Sequence, residues 1–427
     1  MLELVLFSPE FSLTNSRASL TPKPNGVDAR HSVFPKAMKR LSLVIIFLIL
    51  PALIACPKPQ VQKKIPALFQ FNFSMDTGKS PSFLITDDFT RDKKLDLVVV
   101  NSEGHSFSVY KGKGDGTFFD QVVYQTGQDP ICVVSADFNA DGYVDLAVLN
   151  YADQNIEIFM NTRLGGFKKI KTKLKPGKIP INMTTGDFNE DGFPDLAVTL
   201  RYHKVTVLRG KGNGRFHDPQ SFHVKGQPTG IVVGDYNNDK HIDIAFALAG
   251  SGGKGVQLLW GRGDGSFVPS KRFRGGGQPL TIVNLDVNND GYGDFVTSSN
   301  VLHAMTAVIN QGDETFKARR DFASGNFPKF VVAADFSGDG LDDIVVSNAT
   351  DDRISVSLGK GDGTFTYPPV YHPVDEHPQG MAVGDFNGDG ILDLAVSCRD
   401  KMVIDILLGK NVQLPSFSVP PPQLDKS

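Results

Sequence analysis

The chain has 427 residues and a formal net charge of −3, enough for two or three ordinary domains or one long repeat fold, with no charge bias toward nucleic acid. Forty-three Gly, 26 Pro and 31 Phe against one Trp describe many tight turns between apolar strands. Three cysteines, Cys56, Cys132 and Cys398, are too few for a disulfide framework, and with nine scattered His they form no transition-metal motif.

Residues 1–37 show no clear period and read as an upstream over-extension, with Met38 as the true start. From Met38 the run MKRLSLVIIFLILPALIAC has a basic start, an apolar core and a small residue directly before Cys56. Leu41 to Ala55 is 15 residues with Pro51 inside, short of the roughly 20 that a spanning helix needs. Residues 38–55 resemble a bacterial lipoprotein signal peptide, which implies a lipidated Cys56 and a membrane-anchored, extracytoplasmic protein of the cell envelope or surface. Residues 56–66, containing PKPQVQKKIP, read as a polar tether of on the order of 30 Å if extended. Leu68 to Ser74, LFQFNFS, then reads as a strand with no partner close in sequence.

Between residues 67 and 410 one loop recurs seven times at spacings of 49, 50, 48, 51, 49 and 50 residues, a period that signals a propeller or solenoid. Each copy carries Asp at positions 1, 5 and 9, so that the chain sets oxygens at alternating positions before a β-prone run. A hard cation takes six to eight oxygens, and the loop supplies them from positions 1, 3, 5 and 9 and the backbone carbonyl of position 7. In chain order these positions are Asp88, Thr90, Asp92, Lys94 and Asp96; Asp137, Asn139, Asp141, Tyr143 and Asp145; Asp187, Asn189, Asp191, Phe193 and Asp195; Asp235, Asn237, Asp239, His241 and Asp243; Asp286, Asn288, Asp290, Tyr292 and Asp294; Asp335, Ser337, Asp339, Leu341 and Asp343; and Asp385, Asn387, Asp389, Ile391 and Asp393. Position 6 is Gly in five copies, for a turn at positive φ, but Lys93 in the first and Lys240 in the fourth, which marks those two as the weakest of up to seven Ca²⁺ sites.

Around each loop the rest of the unit repeats as well. A proline stands seven residues before every first Asp, two apolar runs follow, and a turn of the GKGDGTF type leads into a fourth strand beginning at Phe118, Phe167, Phe216, Phe267, Phe316 and Phe365. The seventh unit lacks that turn, so the strand at Leu68 to Ser74 is expected to complete it and close the ring. The expectation is an all-β chain, a seven-bladed β-propeller of four-stranded antiparallel blades, with residues 411–427 as a tail.

The seven loops in register with their flanking strands resemble the FG-GAP and VCBS repeats of integrin-α-like propellers and bacterial surface proteins. The resemblance implies a Ca²⁺ ion in the hairpin between the first and second strands of each blade. Arg262-Gly263-Asp264 aligns with Lys113-Gly114-Asp115 and Lys360-Gly361-Asp362 in sister turns, so it reads as a hairpin rather than an adhesion signal. No helix N-terminus follows the G-x-G-x-G turns to hold a phosphate, and no G-x-S-x-G elbow or zincin motif occurs.

Function on such a fold resides in loops. Antiparallel connections alternate, so the loops after each second strand and before each proline share the end opposite the Asp loops. That end varies in sequence and offers Tyr151, Arg201, Tyr202, His203, His303, Arg353, His377 and Arg399 as ligand-binding candidates. The reading is a monomeric, lipid-anchored, calcium-binding module for a protein or glycan at the cell surface, with no nucleic-acid role. A scaffold subunit of an envelope assembly is the alternative, and a polysaccharide lyase or hydrolase the second.

Overall fold

In the computed structural model the described residues are 65–163, 165–250, 255–299, 301–318 and 321–413. The signal peptide, Cys56, most of the tether, residues 1–37 and most of the tail lie outside them. The described chain is all-β: seven antiparallel sheets, six formed by consecutive hairpins and the seventh completed by a strand from the N-terminal side. Blade 2 is representative, with strands Pro130–Ala136, Asp145–Asn150, Asn155–Asn161 and Phe167–Leu174 in spatial order. The first strand of every blade packs on the first strand of the next, and that of blade 7, Pro378–Gly384, on that of blade 1, Pro81–Asp87. The inner strands thus form a closed ring, and the expected seven-bladed propeller is the fold.

Ring closure follows the expected route. Phe69–Asp76 pairs antiparallel with Val403–Gly409, the third strand of blade 7, with Phe69 opposite Gly409. The second strands, such as Asp145–Asn150, are buried along their whole length because a blade lies on each face. The apolar cores accordingly lie between blades, with residues of adjacent sheets in each cluster.

One strand assignment needs correction. In blades 2, 4 and 5 the fourth strand does begin at Phe167, Phe267 and Phe316. In blades 1, 3 and 6, Phe118, Phe216 and Phe365 instead make one isolated bridge to Gly112, Gly210 and Gly359, and the strand resumes at Val122, Gln220 and Val370. The Phe is placed by packing rather than by ladder pairing. Its buried ring meets the residue after the first Asp of the preceding blade: Phe118 on Phe386, Phe167 on Phe89, Phe216 on Phe138 and Phe267 on Phe188, at centroid distances of 5.5–5.7 Å. Phe69 meets Phe336 in the same way, at 5.5 Å, so the closing strand brings its own copy of that Phe.

Candidate functional site

Each Asp loop connects the first strand of its blade to the second, and all seven adopt one hydrogen-bonded form. The carboxylate at position 1 accepts the amide of position 5 at 3.0–3.2 Å and that of position 6 at 2.6–2.9 Å. The carboxylate at position 5 accepts the amide of position 7 at 2.8–3.0 Å. Position 6 has positive φ whether it is Gly142 at 84° or Lys93 at 67° and Lys240 at 75°, so the two lysines carry backbone strain that glycine avoids. Position 4 is also left-handed in every copy, as at Ala140 (57°) and Asn289 (56°), a demand the residue types there do not reveal.

The carboxylate at position 9 heads the second strand and is fully buried in all seven blades. One of its oxygens accepts the amide at the end of the third strand or two residues past it, Gly112, Asn161, Gly210, Gly261, Asn310, Gly359 or Gly409, at 2.7–2.9 Å. A side chain at Gly112 would put Cβ 2.1 Å from the Leu95 carbonyl oxygen. The second oxygen accepts the amide of position 2 in blades 2, 3, 4, 5 and 7, and that of Ser337 at position 3 in blade 6. Position 9 is therefore a staple across the blade in addition to a candidate ligand. Burial, partly offset by those amides and reinforced by the like charges at positions 5 and 1, pushes these carboxyls up to about 6 in Asp96, Asp145, Asp195 and Asp393, and to about 7 in Asp243, Asp294 and Asp343.

These features fit a hard cation. The donors are all oxygen, the buried carboxylate has amides but no cationic side chain on it, and the Asp96, Asn189 and Asn288 side chains each keep one buried oxygen with no donor. Among the described residues no three His, Cys, Asp or Glu side chains are gathered into a group that could hold a metal. The Asp carboxylates close on backbone amides instead, and Asn189, Asn237, Asn288 and Asn387 turn their amides onto the position-5 carboxylate at 2.7–3.0 Å. A bound cation would displace those Asn contacts.

The loops are coupled to the following blade. The second glycine of the GDGTF-type turn donates to the position-2 carbonyl of the preceding blade, as Gly214 does to Phe138 (2.8 Å) and Gly265 to Phe188 (3.0 Å). Blades 2 and 5 use Asn161 and Asn310 side chains for the same bond, to Phe89 and Tyr236. Arg262-Gly263-Asp264 is one of these turns, and Asp264 accepts the Ser266 amide (2.8 Å) as Asp115 accepts that of Thr117 (3.0 Å).

At the opposite end the candidate ligand residues divide. His303 Nδ1 accepts the amide of Phe327 in the next blade (2.9 Å), as His105 does that of Asp129 (3.1 Å). His203 Nδ1 contacts the Gly226 carbonyl, and the His377 amide donates to Asp352 (2.9 Å). These residues serve as tethers between blades. Arg353 pairs with Asp351 at 2.8 Å and lies over the Tyr371 ring at 3.9 Å, while Arg399 bonds Ser80 Oγ (3.1 Å) and Glu103 (3.5 Å). Tyr202 is 58% exposed and so open to a partner, whereas Tyr151 and Arg201 are half-buried.

Sequence reasoning passed over the residue after each proline. On the innermost strands of blades 6, 7 and 1 that residue is Lys329, Gln379 and Ser82. Gln379 Nε2 and Ser82 Oγ are buried without a hydrogen-bond partner, and burial, with Arg399 nearby, pushes the Lys329 ammonium down to about 8. One position deeper, Phe83 of blade 1 and Phe330 of blade 6 meet edge to face at 5.5 Å, although blade 7 lies between their blades. Gly380 makes this possible: a Cβ there would stand 2.7 Å from the Ser82 carbonyl.

Comparison with known proteins agrees with this geometry. A family model described as FG-GAP-like repeat matches residues 88–148, 137–198, 187–246, 237–297, 286–346 and 335–396. No curated protein sequence matches. Among solved structures, BBS1N in complex with ARL6DN is similar at a TM-score of 0.59 and 14% identity, over 82% of this chain and 99% of that one. A functionally unknown protein from Desulfotomaculum acetoxidans is similar at 0.52 and 13%, over 70% and 88% of the two chains. A Lactobacillus plantarum protein is similar at 0.53 and 14%, over 70% and 86%.

Proposed function

Because the chain belongs to the FG-GAP-like repeat family, we propose that it is a calcium-stabilised binding module that engages a protein or glycan through the end opposite its Asp loops. The observation that carries this is the contrast in side chains between the ends: one repeats the same carboxylates on the same backbone seven times, while the other repeats its turns in most blades but changes their side chains from blade to blade and exposes Tyr202. Calcium, held by positions 1, 3, 5, 7 and 9, would neutralise each acidic loop and so stabilise the fold. Lipidation at Cys56 would keep the module on the outer side of a membrane, where millimolar calcium is available. The test is capture from envelope extract, with and without Ca²⁺, by the protein and by a Tyr151→Ala, Arg201→Ala, Tyr202→Ala variant. The variant should melt normally and lose capture. Capture that survives in it but disappears when the Gly261 to Phe267 turn is altered would assign binding to the wrong end.

A further inference from the structure

Two cavities occupy equivalent places in the ring, one between the outer strands of blades 1 and 2 and the other between those of blades 3 and 4. Their volumes are alike, about 600 and 610 Å³, within the range of small-molecule sites. The two match in register: Lys169 stands opposite Phe159 in blade 2 and Pro269 opposite Leu259 in blade 4, which sets Glu157 against Gln257.

Their charges differ. In the blade 1–2 cavity Glu157 is buried at 1% exposure, pairs with Lys169 at 3.1 Å and accepts the Gly127 amide at 2.9 Å, and Asp153 adds a second acid. Its charge is balanced from within. In the blade 3–4 cavity the equivalent residue is neutral Gln257, Lys225 follows the fourth strand where Gly127 does, and His223, Lys271, Arg272 and Arg274 complete a wall with no acid among the described residues. The charge of that wall reaches as far as Asp313, whose carboxyl is held low mainly by the Thr315 hydroxyl and in smaller part by Lys271.

Gln257 identifies what else the ligand must bring. It is 5% exposed, its Nε2 donates to the Ser270 carbonyl at 2.9 Å, and its buried Oε1 has no donor. A bare anion would satisfy the cations and leave that oxygen unpaired, whereas a saccharide hydroxyl would satisfy it. Lys271 lies over the Phe273 ring at 5.8 Å, so the same wall has an apolar face. The geometry points to an acidic saccharide as the ligand of the blade 3–4 cavity, with its carboxylate or sulfate group on Lys225, Lys271 and Arg274 and a hydroxyl on Gln257 Oε1. This deepens the binding-module reading and rests on it, since it names the glycan.

The test is isothermal titration of the calcium-loaded protein with an oligogalacturonide tetramer, a heparin-derived tetrasaccharide, cellotetraose and inorganic sulfate. One or both acidic tetrasaccharides should bind, and which of them does identifies carboxylate or sulfate as the charged group. Cellotetraose and sulfate should bind at least tenfold more weakly. Lys225→Ala with Arg274→Ala should weaken the acidic saccharide at least tenfold without lowering the melting temperature, and Gln257→Glu, which restores the acid found in blade 2, should weaken it at least tenfold while lowering the melting temperature through loss of the bond to the Ser270 carbonyl. Lys171→Ala in the sister cavity should change nothing. Sulfate binding as tightly as the saccharides, or saccharide binding indifferent to both cavity variants, overturns the proposal. So does the absence of binding by either acidic saccharide, while envelope capture and its loss in the Tyr151, Arg201, Tyr202 variant judge the wider reading separately.

Discussion

At the end of the ring that carries the Asp loops, seven buried carboxylates are met by backbone amides and further carboxylates. Toward the other end, among the described residues, Lys329 sits on an inner strand without a carboxylate partner, and the blade 3–4 cavity is lined by five basic side chains and no acid. Under the function proposed, the first end calls for cations and the blade 3–4 cavity at the second for an anion. The first need recurs identically with every blade because it is made by backbone geometry. The second is made by individual side chains, and it is there that one blade is distinguished from another.

Stripping calcium is the most severe way to break that comparison. With an extracellular-type affinity near ~10⁻⁴ M, ~1 mM Ca²⁺ contributes roughly 1.4 kcal/mol per filled site, so several sites rival the stability of a domain. Excess EGTA should lower the thermal midpoint by many degrees, and an unchanged midpoint would refute the calcium role. Among the loops, Asp141→Ala should cost about 1.4 kcal/mol more than Asp92→Ala in calcium. Both variants lose the same bond to the position-7 amide, 3.0 Å in each, so a gap that persists in EGTA would trace to something other than metal. Calcium counts by elemental analysis should fall by one only in the first.

At the other end the sign reverses. Lys329→Met should stabilise the protein by about 1 kcal/mol at pH 7, after discounting because the side chain is only half-buried by surface area. The folded-state value, about 8, lies below the ordinary 10.5, so the unfolded chain binds more protons between these limits and wild-type stability rises with pH across them. The advantage of the variant should therefore shrink from pH 8 upward in chemical denaturation, and an advantage that grows with pH would contradict the burial argument. Smallest of all, His303→Ala should cost roughly 0.5–1 kcal/mol by removing the acceptor of the Phe327 amide, with calcium binding untouched. A loss of calcium in that variant would mean that the two ends are coupled.

The repeat, the blade count and the closing strand were legible because each rests on periodic residues: Pro before the inner strand, Asp at positions 1, 5 and 9, and Phe after the turn. The start of the fourth strand was not, since Phe118, Phe216 and Phe365 are fixed by a ring in the neighbouring blade that no local pattern encodes. A polar residue in a variable loop, His303 reads as a ligand candidate, and the structure adds a second role that the sequence does not reveal. It serves as a tether because the next blade brings the Phe327 amide to it across 24 residues. The charge contrast between the two cavities was equally hidden, because Glu157 and Gln257 become comparable only once the sheets align them.

The pairing of Phe69 with Gly409 also governs the order of assembly. The partners are about 340 residues apart, so joining them forfeits on the order of 5 kcal/mol of chain freedom unless the intervening blades have already drawn the ends together. A chain delivered N-terminus first must keep Phe69–Asp76 unpaired until Val403–Gly409 has emerged. Through all that time an apolar strand edge stands open to any neighbouring nascent copy, so the yield of a correctly finished ring is decided by how crowded the site of emergence is.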